Sequence, residues 1–329
     1  TSELTMTDTT TEDRTVRENP SPLVSVVITT YNRPSYLDAA VESVAAQTYG
    51  RIELVVVDDH SETPASEVLN DGVAERFEHF RCVRHEKNRG ANAARNTGIE
   101  AANGDFVAFL DDDDRWASDK LTRQVDVFQR SDDDVGLVYT GAKQVRDDRE
   151  EVHVPTRVDG DMTKALLCRN VVGTQSSVMV RADLAAETPF DERFPAWADL
   201  EWYVSLSRKC EFRRLPGPLV EYEFSSPGRL SDDFEKAERG YHMFVEKYRP
   251  VAAEYGPLFE RKMLGWAAFR VAAGTFHEQK YSVARRYLEL AVRRYPFEPL
   301  FLKYLAASLG GRSTHKVARL ARRLISDNA

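Results

Sequence analysis

No run of apolar residues in this 329-residue chain approaches the length that a membrane-spanning helix requires, so a soluble chain is expected. The start carries no basic-then-apolar segment, and no secretory signal is expected. Cysteine is scarce. Cys82, Cys168 and Cys210 are widely separated, which argues against a disulfide framework or a cysteine-built metal site and fits buried thiols in a reducing cytoplasm. An excess of positive charge is missing as well. Lys and Arg number 45 against 53 Asp and Glu, a formal net charge of −8, whereas general nucleic-acid binding needs a basic face. The stretch 1–22 has almost no apolar residues and is rich in Thr, Glu and Asp, so it reads as a disordered leader.

What the chain does hold is a series of apolar runs, each ending in polar residues. Leu23–Thr29 is β-branched and reads as a buried parallel strand, broken by Thr30-Tyr31-Asn32-Arg33-Pro34. Ser35 is placed to cap a helix carrying Leu37, Ala40, Val41 and Val44 on one face. A second strand, Ile52–Val57, ends in Asp58-Asp59-His60-Ser61, and a third, Phe80–Arg84, leads into Asn88-Arg89-Gly90. A helix is expected from about Ala91 to Ala102, then a fourth strand, Phe106–Leu110, ending in four aspartates, Asp111–Asp114. Alternating strands and helices imply a doubly wound α/β sheet, in which ligands bind outside the carboxyl ends of the strands. Carboxylates this close raise one another's pKa, and a divalent cation removes that penalty. Hard cations such as Mg²⁺ take one or two carboxylates together with substrate phosphates, so the loop is a candidate seat for a metal-bound nucleotide. An exposed acidic loop is the plainer alternative.

The blocks Val24–Arg33, Gln47-Thr48-Tyr49, Glu53–Ser61, Asn88-Arg89-Gly90, Ala94–Gly98 and Phe109–Trp116 together resemble the family 2 glycosyltransferases, in that family's order and spacing. The resemblance is strong over about 22–125 and weaker to about 230. It implies an A-type glycosyltransferase fold, a Rossmann-like, mixed but mainly parallel sheet with helices on both faces. It also implies a nucleotide-diphospho-sugar donor, Mg²⁺ or Mn²⁺, and inversion at the anomeric carbon. By the same resemblance Thr29 and Tyr31 line the base pocket, and Asp59 accepts from a uracil-like ring N–H, which favours a UDP-sugar. Arg95, with Arg89 as competitor, contacts sugar or phosphate. Asp113 is the metal ligand and Asp111 contacts ribose or the donor sugar. Arg33 and Asp112 complete the donor set.

The second half should hold the acceptor and the base. Gly136–Gly141 reads as a strand, Met162–Cys168 as a short helix, and Asn170–Arg181 resembles the family's strand beneath the acceptor site. Trp197-Ala198-Asp199-Leu200-Glu201 resembles its Glu-Asp motif at a helix start, with Ala198 where a glutamate is usual. Asp199 is the expected general base and Glu201 the runner-up. The helix N-terminus should lower the pKa of Asp199. Trp197 and Trp202 suit an acceptor shelf or, more commonly, a core. Phe224–Ser231 resembles a closing loop in which Gly228 is a hinge and Arg229 a pyrophosphate clamp.

From Ser231 the pattern turns helical: one helix from about Phe234 up to Pro250, then Leu258–Ala273, Tyr281–Tyr295, Pro299–Leu309 and Thr314–Ile325. The division expected is a leader (1–22), a catalytic domain (23–230, with a nucleotide half 23–125 and an acceptor half 126–230), and a helical region (231–329). The last helix carries His315, Lys316, Arg319, Arg322 and Arg323, which suits peripheral contact with an anionic cytoplasmic membrane face or a solvated helix face. The acceptor expected is a glycan or lipid phosphate. Two other functions compete: a non-catalytic nucleotide-sugar-binding scaffold, whose only support is Ala198, and a nucleotidyltransferase. The latter is disfavoured because no glycine-rich phosphate loop follows the first strand.

Overall fold

The computed structural model describes residues 21–69, 72–146, 149–153, 159–223 and 233–309. Its first half comprises β1 (Val24–Thr30), α1 (Pro34–Ala45), β2 (Ile52–Asp58), α2 (Ala65–Val68), β3 (His79–Arg84), α3 (Ala91–Ala101), β4 (Phe106–Asp111), β5 (Arg115–Trp116) and α4 (Lys120–Gln129). Then come β6 (Val135–Arg146), β7 (Arg149–His153), α5 (Thr163–Cys168), β8 (Val178–Arg181), α6 (Ala182–Glu187), α7 (Ala198–Ser207) and β9 (Glu211–Glu223). Four helices close the described chain: α8 (Phe234–Glu254), α9 (Pro257–His277), α10 (Tyr281–Arg294) and α11 (Pro299–Leu309).

One mixed sheet runs in the order β3-β2-β1-β4-β8-β6-β9-β5, with β7 pairing off β6. The first four strands are mutually parallel, and β8 is antiparallel to both β4 and β6. Side-chain alternation divides each parallel strand between two cores. Val24, Val26 and Ile28 of β1, with Leu54 and Val56 of β2 and Ala108 and Leu110 of β4, pack under α1 and α4. Val27, Val55, Val57, Val107 and Phe109 face the opposite core, which holds Ala94 of α3, Leu200 and Trp202 of α7, and most of α8–α10. This two-sided burial explains why the parallel strands are nearly unbroken apolar runs.

Pairing aligns the carboxyl ends. Thr29 sits across from Val57 on one side and Asp111 on the other, and Thr30 across from Asp58. The polar residues that end three strands therefore form one row at one sheet edge.

Several expectations need correcting. Ser35 does not cap α1; the helix starts at Pro34, a favoured first position because proline has no N–H to leave unsatisfied. Pro250 does not end α8, which continues to Glu254. Glu246 and Pro250 are both exposed, so the carbonyl left without a partner can face water. The segment expected as one strand over Asn170–Arg181 is a loop, a 3₁₀ turn at Gln175–Ser177, and only then β8. The last helix expected, Thr314–Ile325, lies outside the described residues, as do the 1–20 stretch and the 224–232 loop with Arg229.

Candidate active site

The four aspartates do not act as one acidic patch. Asp112 and Asp114 are buried, while Asp111 and Asp113 are half-buried, so alternate carboxylates take different surroundings. Asp114 Oδ2 accepts from Ser176 Oγ at 2.5 Å, and Asp112 Oδ2 accepts from Thr30 Oγ1 at 2.7 Å. Burial pushes the Asp112 carboxyl up to about 6, with Asp113 and Asp111 adding to the effect, although Thr30 and Arg33 oppose it. The other two carboxylates hold arginines. Arg33 Nη1 lies 2.8 Å from Asp113 Oδ2 and 3.2 Å from Asp112 Oδ1, and Arg95 Nη2 donates to Asp111 Oδ1 at 2.7 Å. Arg95 reaches Asp111 because α3 lies tight on the sheet: a Cβ on Gly98 would sit 2.2 Å from a methyl of Val27.

The second loop is built from backbone donors. Asp58 is fully buried, and burial alone would raise its pKa. Bonds from the Ser61 and Ala65 N–H groups and from Arg84 hold it below the usual range instead. Asp59 Oδ1 accepts from His85 Nδ1 and the Arg89 N–H, and Oδ2 from the Gly90 N–H, at 2.7–2.8 Å. Three of the roughly four acceptor positions of a carboxylate are thus used within the protein. Asn32 ties this loop to the first, its N–H donating to Ser61 Oγ and its Oδ1 accepting from the Glu62 N–H. Asn32 (φ 54°) and His60 (φ 72°) are both left-handed, a conformation unusual away from glycine and concentrated at functional loops. Tyr31 stands 46% exposed beside them, its ring open to stacking, and Thr29 is half-buried at the same edge.

Asp111 and Arg95 share a cleft of about 790 Å³ with Asp199, Asn170, Trp197 and Arg270. Asp199 lies in the first turn of α7, and its Oδ2 accepts from Asn170 Nδ2 at 2.8 Å. The helix start was expected to depress its pKa. Burial instead raises it above the ordinary range, against the Leu200 N–H and the guanidiniums of Arg270 and Arg95. The residue before the helix, Trp197, adopts φ 64°, a strained conformation for a bulky side chain. Trp202 is core, stacked on Phe190 at 4.5 Å; of the two tryptophans, only Trp197 lines the cleft.

Glu201, the alternative base, is not at the cleft. It is buried in the α7–α8 contact, where its Oε1 accepts from Lys247 Nζ at 2.8 Å and Tyr248 OH at 2.7 Å. Asn170, Gln175 and Arg270 are cleft residues that sequence reasoning missed. Gln175 is 3% exposed, and neither atom of its amide has a hydrogen-bond partner. Asn170 was legible only as part of a strand motif, and Arg270 lies in a helix with no pattern beyond apolarity.

The donor set for a cation can be tested against this geometry. Among the described residues no three His, Cys, Asp or Glu side chains gather to hold a metal alone. Asp111 and Asp113 supply hard oxygen donors beside a row of polar strand ends. That suits an ion held by one or two carboxylates and completed by substrate phosphates.

The mixed sheet, the aligned strand ends and the acidic loop define the A-type glycosyltransferase fold. TarS of S. aureus in complex with UDP-GlcNAc shares this fold at TM-score 0.62, with 16% identity over 91% of this chain and 92% of that one. So does a mannosyltransferase of Pyrobaculum calidifontis in complex with GDP-Man and Mn2+, at TM-score 0.53, with 19% identity over 88% and 86%. TuaG of Bacillus subtilis (strain 168), a glycosyltransferase assigned to teichuronic acid biosynthesis, is 40% identical over 69% of this chain and 89% of its own length. The sequence profile of Glycosyl transferase family 2 matches residues 25–184. The chain belongs to that family. Its matches span 34% and 41% of the length of two further curated relatives, both uncharacterized glycosyltransferases.

Proposed function

We propose that the chain transfers a sugar, with inversion, from a nucleotide-diphospho-sugar to an acceptor hydroxyl, and that a UDP-sugar is the preferred donor. The observation that carries this reading is a single cleft holding both halves of the reaction: Asp111 with Arg95 on one wall, and Asp199, set by Asn170, on the other. Inversion by direct displacement needs one base, and Asp199 is the carboxylate placed for it. Its raised pKa makes it a stronger acceptor for the proton of the attacking hydroxyl. Tyr31 would stack on the base, Thr29 and the remaining acceptor position of Asp59 would read it, and Arg33, Arg95 and Asp112 would frame the diphosphate and sugar. Asp113, with Asp111 beside it, would hold Mg²⁺ or Mn²⁺. When bound, the ion supplies Lewis-acid neutralisation of the departing diphosphate. Arg33 already pairs with Asp113, so cation binding would release this guanidinium toward phosphate.

The acceptor in this reading is a glycan or a lipid-linked phosphate glycan. No helix among the described residues is long and apolar enough to cross a membrane. In this reading the enzyme works at the cytoplasmic membrane face, which it touches peripherally.

Calorimetry with uridine and guanosine diphosphates, each with and without Mn²⁺, tests the donor half. Tighter, Mn²⁺-dependent uridine binding is expected, and Asp113→Ala should lose the metal-dependent part while keeping its circular dichroism. Tighter guanosine binding would overturn the base pocket, and unchanged metal dependence in the mutant would overturn the ligand assignment.

A further inference from the structure

The helical region lines part of the cleft, Lys236 from α8 and Arg270 from α9 among its contributions. Arg270 of α9 lines it together with Trp197 and Asp199. Its guanidinium lies over the Trp197 ring, 4.8 Å from the centroid, and 5.6 Å from that of Phe244. Nη2 donates to the Cys168 carbonyl at 3.2 Å, and Nη1 is buried with no hydrogen-bond partner. Among the described residues no carboxylate oxygen lies within 4.0 Å of this guanidinium.

The other cations of the cleft are matched at close range. Arg89 pairs with Glu192 at 3.4 Å, Arg95 with Asp111 at 2.7 Å, and Lys236 with Asp233 at 3.5 Å. Arg270 has only the more distant charge of Asp199, and burial pulls its pKa down to about 10. A desolvated guanidinium without a paired anion is costly to keep. Two aromatic rings pack against the guanidinium, whose planar fork matches the geometry of a phosphate or carboxylate. Hydrophobic residues of similar volume would pack there at lower cost, so the charge is the feature to explain.

We propose that Arg270 is an acceptor-recognition residue: the acceptor bears an oxyanion, a phosphate or a carboxylate, that docks on this guanidinium against Trp197 and brings a nearby hydroxyl to Asp199. The inference rests on the glycosyl-transfer reading and narrows its acceptor to anionic compounds. It also gives the helical region a part in the site, since the charge comes from α9 while the base comes from α7.

The test uses the full chain saturated with UDP and Mn²⁺, so that the donor phosphates cannot account for binding. Glycerol 3-phosphate, glucuronate and glycerol are then titrated by calorimetry into the wild type, Arg270→Met and Arg270→Gln. One of the two anions should bind the wild type and glycerol should not; which anion binds tells phosphate from carboxylate. Both substitutions should weaken that binding about 10- to 100-fold, the range of one lost charge-assisted contact. UDP affinity in each variant reports whether the fold and donor half persist, and thermal midpoints should stay level or rise once the unmatched charge is gone. Equal anion affinity in wild type and variants, or no anion binding by the wild type, overturns the proposal. A merely structural Arg270 would show lowered midpoints with anion affinity unchanged. If the wild type fails to bind UDP, the donor reading falls, and the same titration on the nucleotide-free chain still decides the role of Arg270.

Discussion

Asp199 illustrates how one side chain answers to competing forces. A carboxylate in the first turn of a helix gains from the N-terminal dipole, an effect of about 0.3–1 kcal/mol at exposed sites. Burial beside Trp197 works the other way and wins, so the pKa rises. The consequence for rate has a definite sign. A base works only when deprotonated, so turnover should fall as pH drops through the pKa of Asp199, and that acid limb should lie above the ordinary carboxylate range. Asp199→Asn should keep donor affinity and lose transfer by about 10²–10⁴, the usual worth of general base catalysis. Asparagine still accepts a hydrogen bond, so the contacts with the Leu200 N–H and with Asn170 should largely survive. Steady-state rates between pH 4 and 8, with UDP binding as control, measure both. Normal turnover by the asparagine variant would remove Asp199 from the mechanism.

Among the elements, the pieces legible beforehand were those whose two faces both meet a core. β1, β2 and β4 are continuous apolar runs because side chains above and below the sheet are buried, and their ends at Thr30, Asp58 and Asp111 mark the site. β9 was not legible. It spans 13 residues and pairs with β6 for most of its length, yet Arg213-Arg214 and Pro216-Gly217 break its pattern. Arg213 and Arg214 pair regularly with Val138 and Tyr139, while Pro216 and Gly217 (φ 106°) sit at a register shift between Thr140 and Gly141, so a bulge rather than a strand end accounts for them. The donor residues were readable because each belongs to a local motif at or beside a strand end or, for Arg95, in α3, whereas Arg270 is 71 residues beyond Asp199 and only packing joins them.

Glu201 shows the same limit on α7. Two residues after Asp199 on a helix is about 200° around the axis, so the two carboxylates must face apart. The structure sends Glu201 into a clamp with Lys247 and Tyr248 of α8. Lys247→Met should therefore strand a buried carboxylate and lower stability by about 1–3 kcal/mol, discounted because the lysine is itself 38% exposed. Glu201→Gln should turn over normally. Urea midpoints and steady-state rates check these two outcomes, and an inactive Glu201→Gln with an unchanged midpoint would restore Glu201 as a candidate base.

For the whole molecule, the boundary expected near residue 231 is not a boundary between cores. Phe109 of the sheet, Trp202 of α7, Phe244 of α8, Ala267 of α9, Leu288 of α10 and Phe301 of α11 belong to one contiguous apolar cluster. α9 is buried around most of its circumference, with Met263, Leu264, Trp266, Phe269 and Val271 all under 10% exposed. That is the pattern of a central helix rather than a surface one. Each such side chain contributes about 1.5–3 kcal/mol on burial, and five of them rival the entire net stability of a typical domain, about 5–15 kcal/mol. The chain should consequently unfold in one cooperative step. Tryptophan fluorescence, with Trp116 in the sheet half and Trp266 in α9, should trace the same urea transition as far-UV circular dichroism. A chain ending at Tyr255 keeps every motif residue of the donor half and Asp199, but leaves the faces of α5 and α8 that pack on α9 without a cover. It should lose its cooperative transition and, with it, measurable UDP binding. If instead it unfolds at the full-length midpoint and binds UDP as before, the helices beyond α8 form a separate unit, and Arg270 would be reaching the cleft from outside the catalytic fold.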